Sequence, residues 1–166
     1  RRAAERLQQA TKDYQKKLET STYYDAMTGL PNRTLFLERM RQGVEQVRRT
    51  GRWMVVLYLD IDEFKSVNER YGEEVGNHLL INMAECLRSC LHGGDALARI
   101  GGDEFALLLL ECKGDEELDC FLQRLQSRLV EPFVSDSAAL ALNASIGVTV
   151  YPEDDADPDT LLRHAD

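Results

Sequence analysis

The segment that most constrains this chain is Arg99-Ile100-Gly101-Gly102-Asp103-Glu104-Phe105, which runs straight into the apolar stretch Ala106 to Leu110. Two glycines followed by two carboxylates, with β-forming residues on either side, read as a hairpin with a chemically loaded turn. Adjacent glycines accept positive φ at little steric cost, so the connection is tight and a bulky ligand can lie against the backbone. Asp103 and Glu104 then project from a turn that has no side chains crowding it. Taken alone, Gly-Gly more often marks an ordinary hairpin whose polar tip stays hydrated.

A second acidic stretch changes that balance. Met54-Val55-Val56-Leu57-Tyr58-Leu59 leads into Asp60-Ile61-Asp62, the pattern of a buried strand that delivers carboxylates at its C-terminal edge. Pairing of this strand beside the hairpin brings Asp60 and Asp103 together. Converging carboxylates repel one another unless a cation sits between them, and hard oxygen ligands suit magnesium carrying phosphates. The two stretches together imply a metal-dependent nucleotide site.

At 166 residues and 43% hydrophobic, the chain fits one globular domain with an appended segment. A formal net charge of −9 disfavours extended contact with a nucleic-acid backbone, which needs clustered Lys and Arg, but is compatible with one nucleotide bound through magnesium. Cys86, Cys90, Cys112 and Cys120 form no CxxC pair and have no His at metal-ligand spacing. Cys86 and Cys90 can share a helix face, where apolar packing is their expected role. With no disulfide framework in view, a reducing, cytoplasmic compartment is expected for the domain. No run of about 18 apolar residues is present, and a membrane anchor outside these residues remains compatible with the sequence.

Along the chain, Arg1 to Tyr24 lacks Gly and Pro and spaces Ala4, Leu7, Thr11, Tyr14 and Leu18 by threes and fours. This predicts a helix with a thin seam, either a short coiled coil or a solvated linker helix, that connects to something upstream. Gly29 and Pro31 break it, and Asn32 is placed to cap a helix through Leu35, Phe36, Met40 and Val44. Phe64 to Tyr71 reads as a short helix closed by Gly72. A longer helix over Glu73 to Leu91 buries Val75, Leu79, Met83, Ala84 and Leu87. Hairpin strands are expected over Ala96 to Ile100 and Phe105 to Glu111, and a helix over Gly114 to Val130. A single strand follows over Ala138 to Tyr151, with Leu140, Leu142, Ala144, Ile146, Val148 and Val150 on one face. Pro152 ends that strand, and Asp159 to Asp166 starts a last helix. The order predicts an α/β (α+β) domain with a central mixed or antiparallel sheet of about five strands covered by helices.

These residues match a family pattern from Asp25 onward. The chain resembles the GGDEF domains, the diguanylate cyclases of bacterial second-messenger signalling. Five ordered pieces carry the resemblance: Asp-Ala-Met-Thr-Gly-Leu-Pro-Asn-Arg at 25–33, Asp-Ile-Asp-Glu-Phe-Lys at 60–65, Asn68 with Gly72 and Gly76, Arg99 to Phe105, and Ser145-Ile-Gly-Val with Tyr151-Pro152. It divides the chain into a linker or signalling helix over 1–24 and a GGDEF domain over 25–166. It also implies a fold similar to the palm of nucleotide cyclases and polymerases. In such enzymes two domains each hold one GTP, and each 3′-hydroxyl attacks the α-phosphate of the other GTP, giving cyclic di-GMP and two pyrophosphates.

Carried over by motif position, Asp60, Asp103 and the Ile61 carbonyl are the expected ligands of Mg²⁺ (or Mn²⁺), and Glu104 assists deprotonation or metal positioning. Gly101 and Gly102 let the substrate lie on the backbone. The main chain at Glu63 and Phe64, with Lys65 nearby, is expected to hold the outer phosphates. Asn68 and Asn77 are expected at the guanine edge. The implied partners are GTP, cyclic di-GMP, a second copy of the domain in the active state, an upstream sensory domain and a downstream EAL phosphodiesterase domain, suggested by Tyr151-Pro-Glu-Asp followed by Leu161-Leu162-Arg163.

The sequence departs from the family pattern in several places. Asn77 stands where the family usually has an Asp that takes two guanine donors. One amide carbonyl without charge is expected to weaken base recognition by about 1–3 kcal/mol. Glu73 stands at a usual His, a change without evident meaning. The product-inhibition motif keeps Asp95 but has His92 in place of Arg. A largely neutral His lacks the fixed fork of a guanidinium, so product inhibition is expected to be weak or absent. Family members continue past Ala165-Asp166 into a helix whose Lys and Arg contact phosphates, and that helix is expected beyond the residues given. Intact Asp60, Asp103 and Glu104 favour an active cyclase. Asn77 favours a GTP-binding regulatory module for an adjacent EAL domain, or a cyclase with altered base choice.

Overall fold

The computed structural model describes residues 2–135 and 139–166. Its centre is β1 (Trp53–Ile61), the apolar run singled out above. Met54 through Leu59 are all buried, and the Tyr58 hydroxyl is the one polar side-chain group among them. Such a run satisfies its ladder on both sides and buries both faces, so it belongs in the middle of a sheet. It pairs antiparallel with β3 (Glu104–Cys112) on one side and β6 (Ala144–Tyr151) on the other. β2 (Ala96–Arg99) adds outside β3, giving the order β2-β3-β1-β6.

Helices cover both faces of this sheet. Val55, Leu57, Leu59 and Ile61 point into a cluster with α4 (Glu73–Cys90) and α5 (Asp115–Leu129), represented by Leu79, Leu87, Phe121 and Leu125. Met54, Val56 and Tyr58 point the other way, into α2 (Arg33–Thr50) and α6 (Pro158–Ala165) through Phe36, Met40, Leu161 and Leu162. The Asn32 side chain accepts from Leu35 N and caps α2, and Gly51 ends α2 at φ 70. Asn32 Nδ2 also donates to Thr22 O at 2.7 Å, which fixes where α1 (Arg2–Tyr23) meets the domain. α1 buries no residue, and its seam residues Leu7, Tyr14 and Leu18 are all exposed. α3 (Phe64–Tyr71) lies against α4.

Two expectations are corrected. The main sheet is antiparallel, one of the two arrangements expected, but has four strands where about five were expected. The strand expected over Ala138 to Tyr151 is also not continuous. Ala138 lies outside the described residues, Ala139–Leu140 (β5) pairs with Phe133–Val134 (β4) as a separate ribbon, and β6 begins at Ala144. The cause is the length of β1. Its chain turns away after Ile61, with Glu63 at φ 58 starting α3, and the last backbone bond along this edge runs from Asp62 N to Asn143 O at 2.9 Å. Val148 is 38% exposed on this edge strand, while Thr149 and Tyr151 on its other face are buried.

Candidate active site

The acidic residues collect where β1 and β3 end together. Asp60 faces Glu104 directly across the ladder, and Ile61 N donates to Asp103 O at 3.1 Å. The turn from Ile100 to Asp103 therefore sits at the tip of β1, as the two sequence stretches imply. Ile100 N donates to Glu104 O at 2.8 Å and closes it.

Burial first, and then the neighbouring Asp103 charge and a hydrogen bond to its side chain, push the Asp60 carboxyl up to about 6, with Glu104 and Asp62 adding to the effect. Asp60 Oδ1 is buried without a hydrogen-bond partner. A buried carboxylate oxygen left unpaired beside other carboxylates is energetically unfavourable, and a cation removes both defects at once. The donor set thus fits a hard divalent metal. Among the described residues no group of three or more His, Cys, Asp or Glu side chains forms a cage on its own. Asp60 and Asp103 are a pair, so a cation held there would need further oxygen donors.

Glu104 is drawn elsewhere. Tyr58 Oη donates to Glu104 Oε2 at 2.6 Å, and burial together with that carboxylate raises the Tyr58 hydroxyl well above its usual range. A Cβ on Gly101 would stand 2.5 Å from the same Glu104 oxygen, which explains a glycine there.

The turn is held from below by Arg99. Its Nε donates to Gly101 O at 3.1 Å and its Nη2 to Gly102 O at 2.8 Å, while Nη1 reaches Asp25 Oδ1 at 3.1 Å. Asp25 also accepts from Thr28 N and Oγ1 at 2.8 and 2.6 Å. Burial raises the Asp25 carboxyl, but the Thr28 bonds and Arg99 outweigh it and hold it below the ordinary value. Arg99, Asp25 and Tyr58 were quoted above only as parts of motifs or of an apolar run. For Arg99 the available signal was a cation bordering a turn that has only backbone acceptors to offer it.

The remaining expected residues fall into three groups. Asn68 Oδ1 is buried without a partner and occupies the space a Cβ on Gly76 would need, so Asn68, Gly76 and the Phe64 ring meet between α3 and α4. Asn77 follows, half-buried, on α4, and Glu63 is exposed at the α3 start. Lys65 is not gathered with the acids: its side chain is 91% exposed and its nearest ionic partner is Glu69, at 3.9 Å. At the expected product site both Asp95 oxygens are taken by backbone, from His92 N at 3.1 Å and Leu110 N at 3.2 Å. The His92 ring lies 3.5 Å from Arg124, which itself donates to Cys90 O at 2.9 Å.

Paired carboxylates thus stand at the shared end of two central strands, beside a Gly-Gly turn. Residues 22–166 match the family description "Diguanylate cyclase, GGDEF domain". The chain is 39% identical over 142 residues to the cyclic di-GMP phosphodiesterase NbdA of Pseudomonas aeruginosa, and 37% identical over 143 residues to the bifunctional diguanylate cyclase/cyclic di-GMP phosphodiesterase MucR of the same organism. Those alignments cover 86% of this chain but only 18% and 21% of the relatives. Against the diguanylate cyclase TpbB, also from Pseudomonas aeruginosa, it is 31% identical over 98% of its length and 38% of the relative's. A solved structure of the TpbB GGDEF domain superposes with a TM-score of 0.79 at 32% identity, covering 86% of this chain and 83% of that one. The chain belongs to the GGDEF domain family, and so to the proteins of cyclic di-GMP signalling. Among the described residues no helix is long and apolar enough to cross a membrane.

Proposed function

We propose that this domain is a diguanylate cyclase that condenses two GTP into cyclic di-GMP and two pyrophosphates. The observation that carries the reading is the buried, unpartnered Asp60 Oδ1 beside Asp103 at the tip of a Gly-Gly turn. Asp60 and Asp103 would hold Mg²⁺ or Mn²⁺ with the Ile61 carbonyl. Bound there, the ion would offset phosphate charge and acidify the attacking hydroxyl. Gly101 and Gly102 leave room for the nucleotide against the backbone. Asn68 offers its free amide oxygen to the guanine edge, with Asn77 beside it on the next helix. Glu104 stands one residue from Asp103, where it can take the proton released by the 3′-hydroxyl. The main chain at Glu63 and Phe64 meets the outer phosphates, with Lys65 exposed at the same helix start.

Each domain positions one GTP, so two copies must face one another for each 3′-hydroxyl to reach the other's α-phosphate. The active state is therefore a homodimer, in the cytoplasm where GTP is found, with sensory input arriving through α1 and an EAL domain following. A second reading has its own support. Asn77 in the base pocket, Lys65 lying away from the acids, and the phosphodiesterase name of NbdA favour a GTP-binding module that regulates an adjacent phosphodiesterase.

Incubation with Mg²⁺ and either GTP or ATP, followed by chromatography, separates the readings. Cyclic di-GMP from the wild-type chain and none from Asp103→Asn is the expected outcome. Magnesium-dependent GTP binding without product overturns the cyclase in favour of the module.

A further inference from the structure

Four helices of the domain complete their N-termini in one of two ways. Asn32 caps α2 by accepting from Leu35 N, and Asp157 caps α6 by accepting from Thr160 N. α4 and α5 lack a side-chain cap but carry acids in the first turn, Glu73 and Glu74 in one and Asp115, Glu116 and Glu117 in the other. α3 has neither. Glu63 gives it no side-chain cap, and its first turn holds no acid. Its leading amide groups and the positive end of its dipole are left for something outside the helix.

The residue placed to supply a cap is Asp62. Elsewhere in this chain Asp25, Asn32 and Asp157 each accept from the backbone N–H three positions ahead, at 2.8, 3.1 and 2.8 Å. The same reach from Asp62 ends at Lys65 N, and a shorter one at Phe64 N. No such bond caps α3 among the described residues. Asp62 N instead donates to Asn143 O at 2.9 Å, and Asp62 Oδ1 accepts from Ser145 Oγ at 2.7 Å. Ser145 is aligned with Asp60 across the β1–β6 ladder, yet its hydroxyl goes to Asp62 and Asp60 Oδ1 stays without a partner.

We infer that Ser145 is a positioning residue for the outer phosphates: its hydroxyl holds the Asp62 carboxylate at the start of β6 and away from α3, so the amide groups leading into that helix stay open to an anion. The inference rests on the proposed function, in which the main chain at Glu63 and Phe64 meets those phosphates. Without the hydroxyl, Asp62 is free to turn onto Phe64 N or Lys65 N. There it caps the helix and sets a negative charge against the incoming phosphate.

The test titrates the full chain with Mg²⁺-pyrophosphate and, separately, with Mg²⁺-GMP by calorimetry, which needs no turnover. The variants are Ser145→Ala, Ser145→Thr, Asp62→Ala and the double Ser145→Ala, Asp62→Ala. Ser145 is exposed on an edge strand, where small side-chain changes leave the core untouched. Ser145→Ala is expected to bind pyrophosphate about tenfold more weakly than wild type, with GMP binding unchanged. Ser145→Thr keeps a hydroxyl and should bind as wild type does. Asp62→Ala, alone or added to Ser145→Ala, should also match wild type, because no carboxylate remains to cap α3. In steady state, Ser145→Ala is expected to raise KM for GTP about tenfold with kcat little changed. Pyrophosphate binding that is unchanged in Ser145→Ala, is lost equally with GMP binding, or stays weak in Ser145→Thr or the double variant overturns the role of Ser145 alone. A wild type that binds neither pyrophosphate nor GTP overturns the phosphate site, and with it the reading underneath.

Discussion

At the scale of the residue, Asp60 is the most instructive group. Its folded carboxyl titrates near 6 against an ordinary 3.8, so between those values the folded chain holds a proton that the unfolded chain has released, and stability falls as pH rises. In chelator, calorimetry should show a higher midpoint at pH 5 than at pH 7. Asp60→Asn removes the repulsion, and its midpoint at pH 7 should lie above wild type by a few degrees, about 2–4 °C per kcal/mol for a domain of this size. A metal must displace that same proton, so Mn²⁺ affinity should drop steeply as pH is lowered through about 6. The Asp60–Asp103 pair was legible from sequence because an apolar run ending in acids can deliver them only to a sheet edge. Tyr58 was not. Within six apolar residues its hydroxyl looked like part of the core, and only the register showed that its row neighbours are small. Gly76 belongs at this scale too: Gly76→Ala would drive a methyl into the Asn68 side chain, and should cost about 1–3 kcal/mol of stability by chemical denaturation while weakening nucleotide binding.

At the scale of the element, the hairpin turn depends on a strut from outside the sheet. Arg99 binds the carbonyls of Gly101 and Gly102 with one edge of its guanidinium and Asp25 with another, and Asp25 is locked to Thr28 just past the end of α1. Arg99→Ala takes this donor from the half-buried Gly101 carbonyl and the exposed Gly102 carbonyl and leaves Asp25 bonded to Thr28 alone. It should lower stability by about 2–3 kcal/mol and turnover more than GTP binding, as measured by denaturation and steady-state kinetics. The cap of α2 by Asn32 was readable because an Asn before an apolar helical period has few other uses. The break between β5 and β6 was not readable, because it is set by where β1 stops, 80 residues earlier in the chain, and not by anything local to residues 141–143. The docking of α6 was hidden for a similar reason: Gly147 reads as one residue of a strand until Ala165 is found lying on it.

At the scale of the whole molecule, the proposed reaction gives one domain half of a two-substrate condensation. The chain carries a formal net charge of −9, and its site gathers further acids, so GTP must arrive with its cation or be repelled. Metal and nucleotide that bind as proposed, to the folded state alone, should add about 2.7 kcal/mol of stability at a concentration of about 100 Kd. The proposed reaction requires bond formation between two nucleotides held by two copies. The measurement that tests it most directly follows Mg²⁺-GTP and the full chain by ³¹P NMR over a dilution series, with cyclic di-GMP quantified at each point. Two pyrophosphates should appear per cyclic di-GMP, and at low concentration the rate should rise as the square of protein concentration. GTP left intact, or converted to GDP and phosphate at a rate linear in protein, would contradict it.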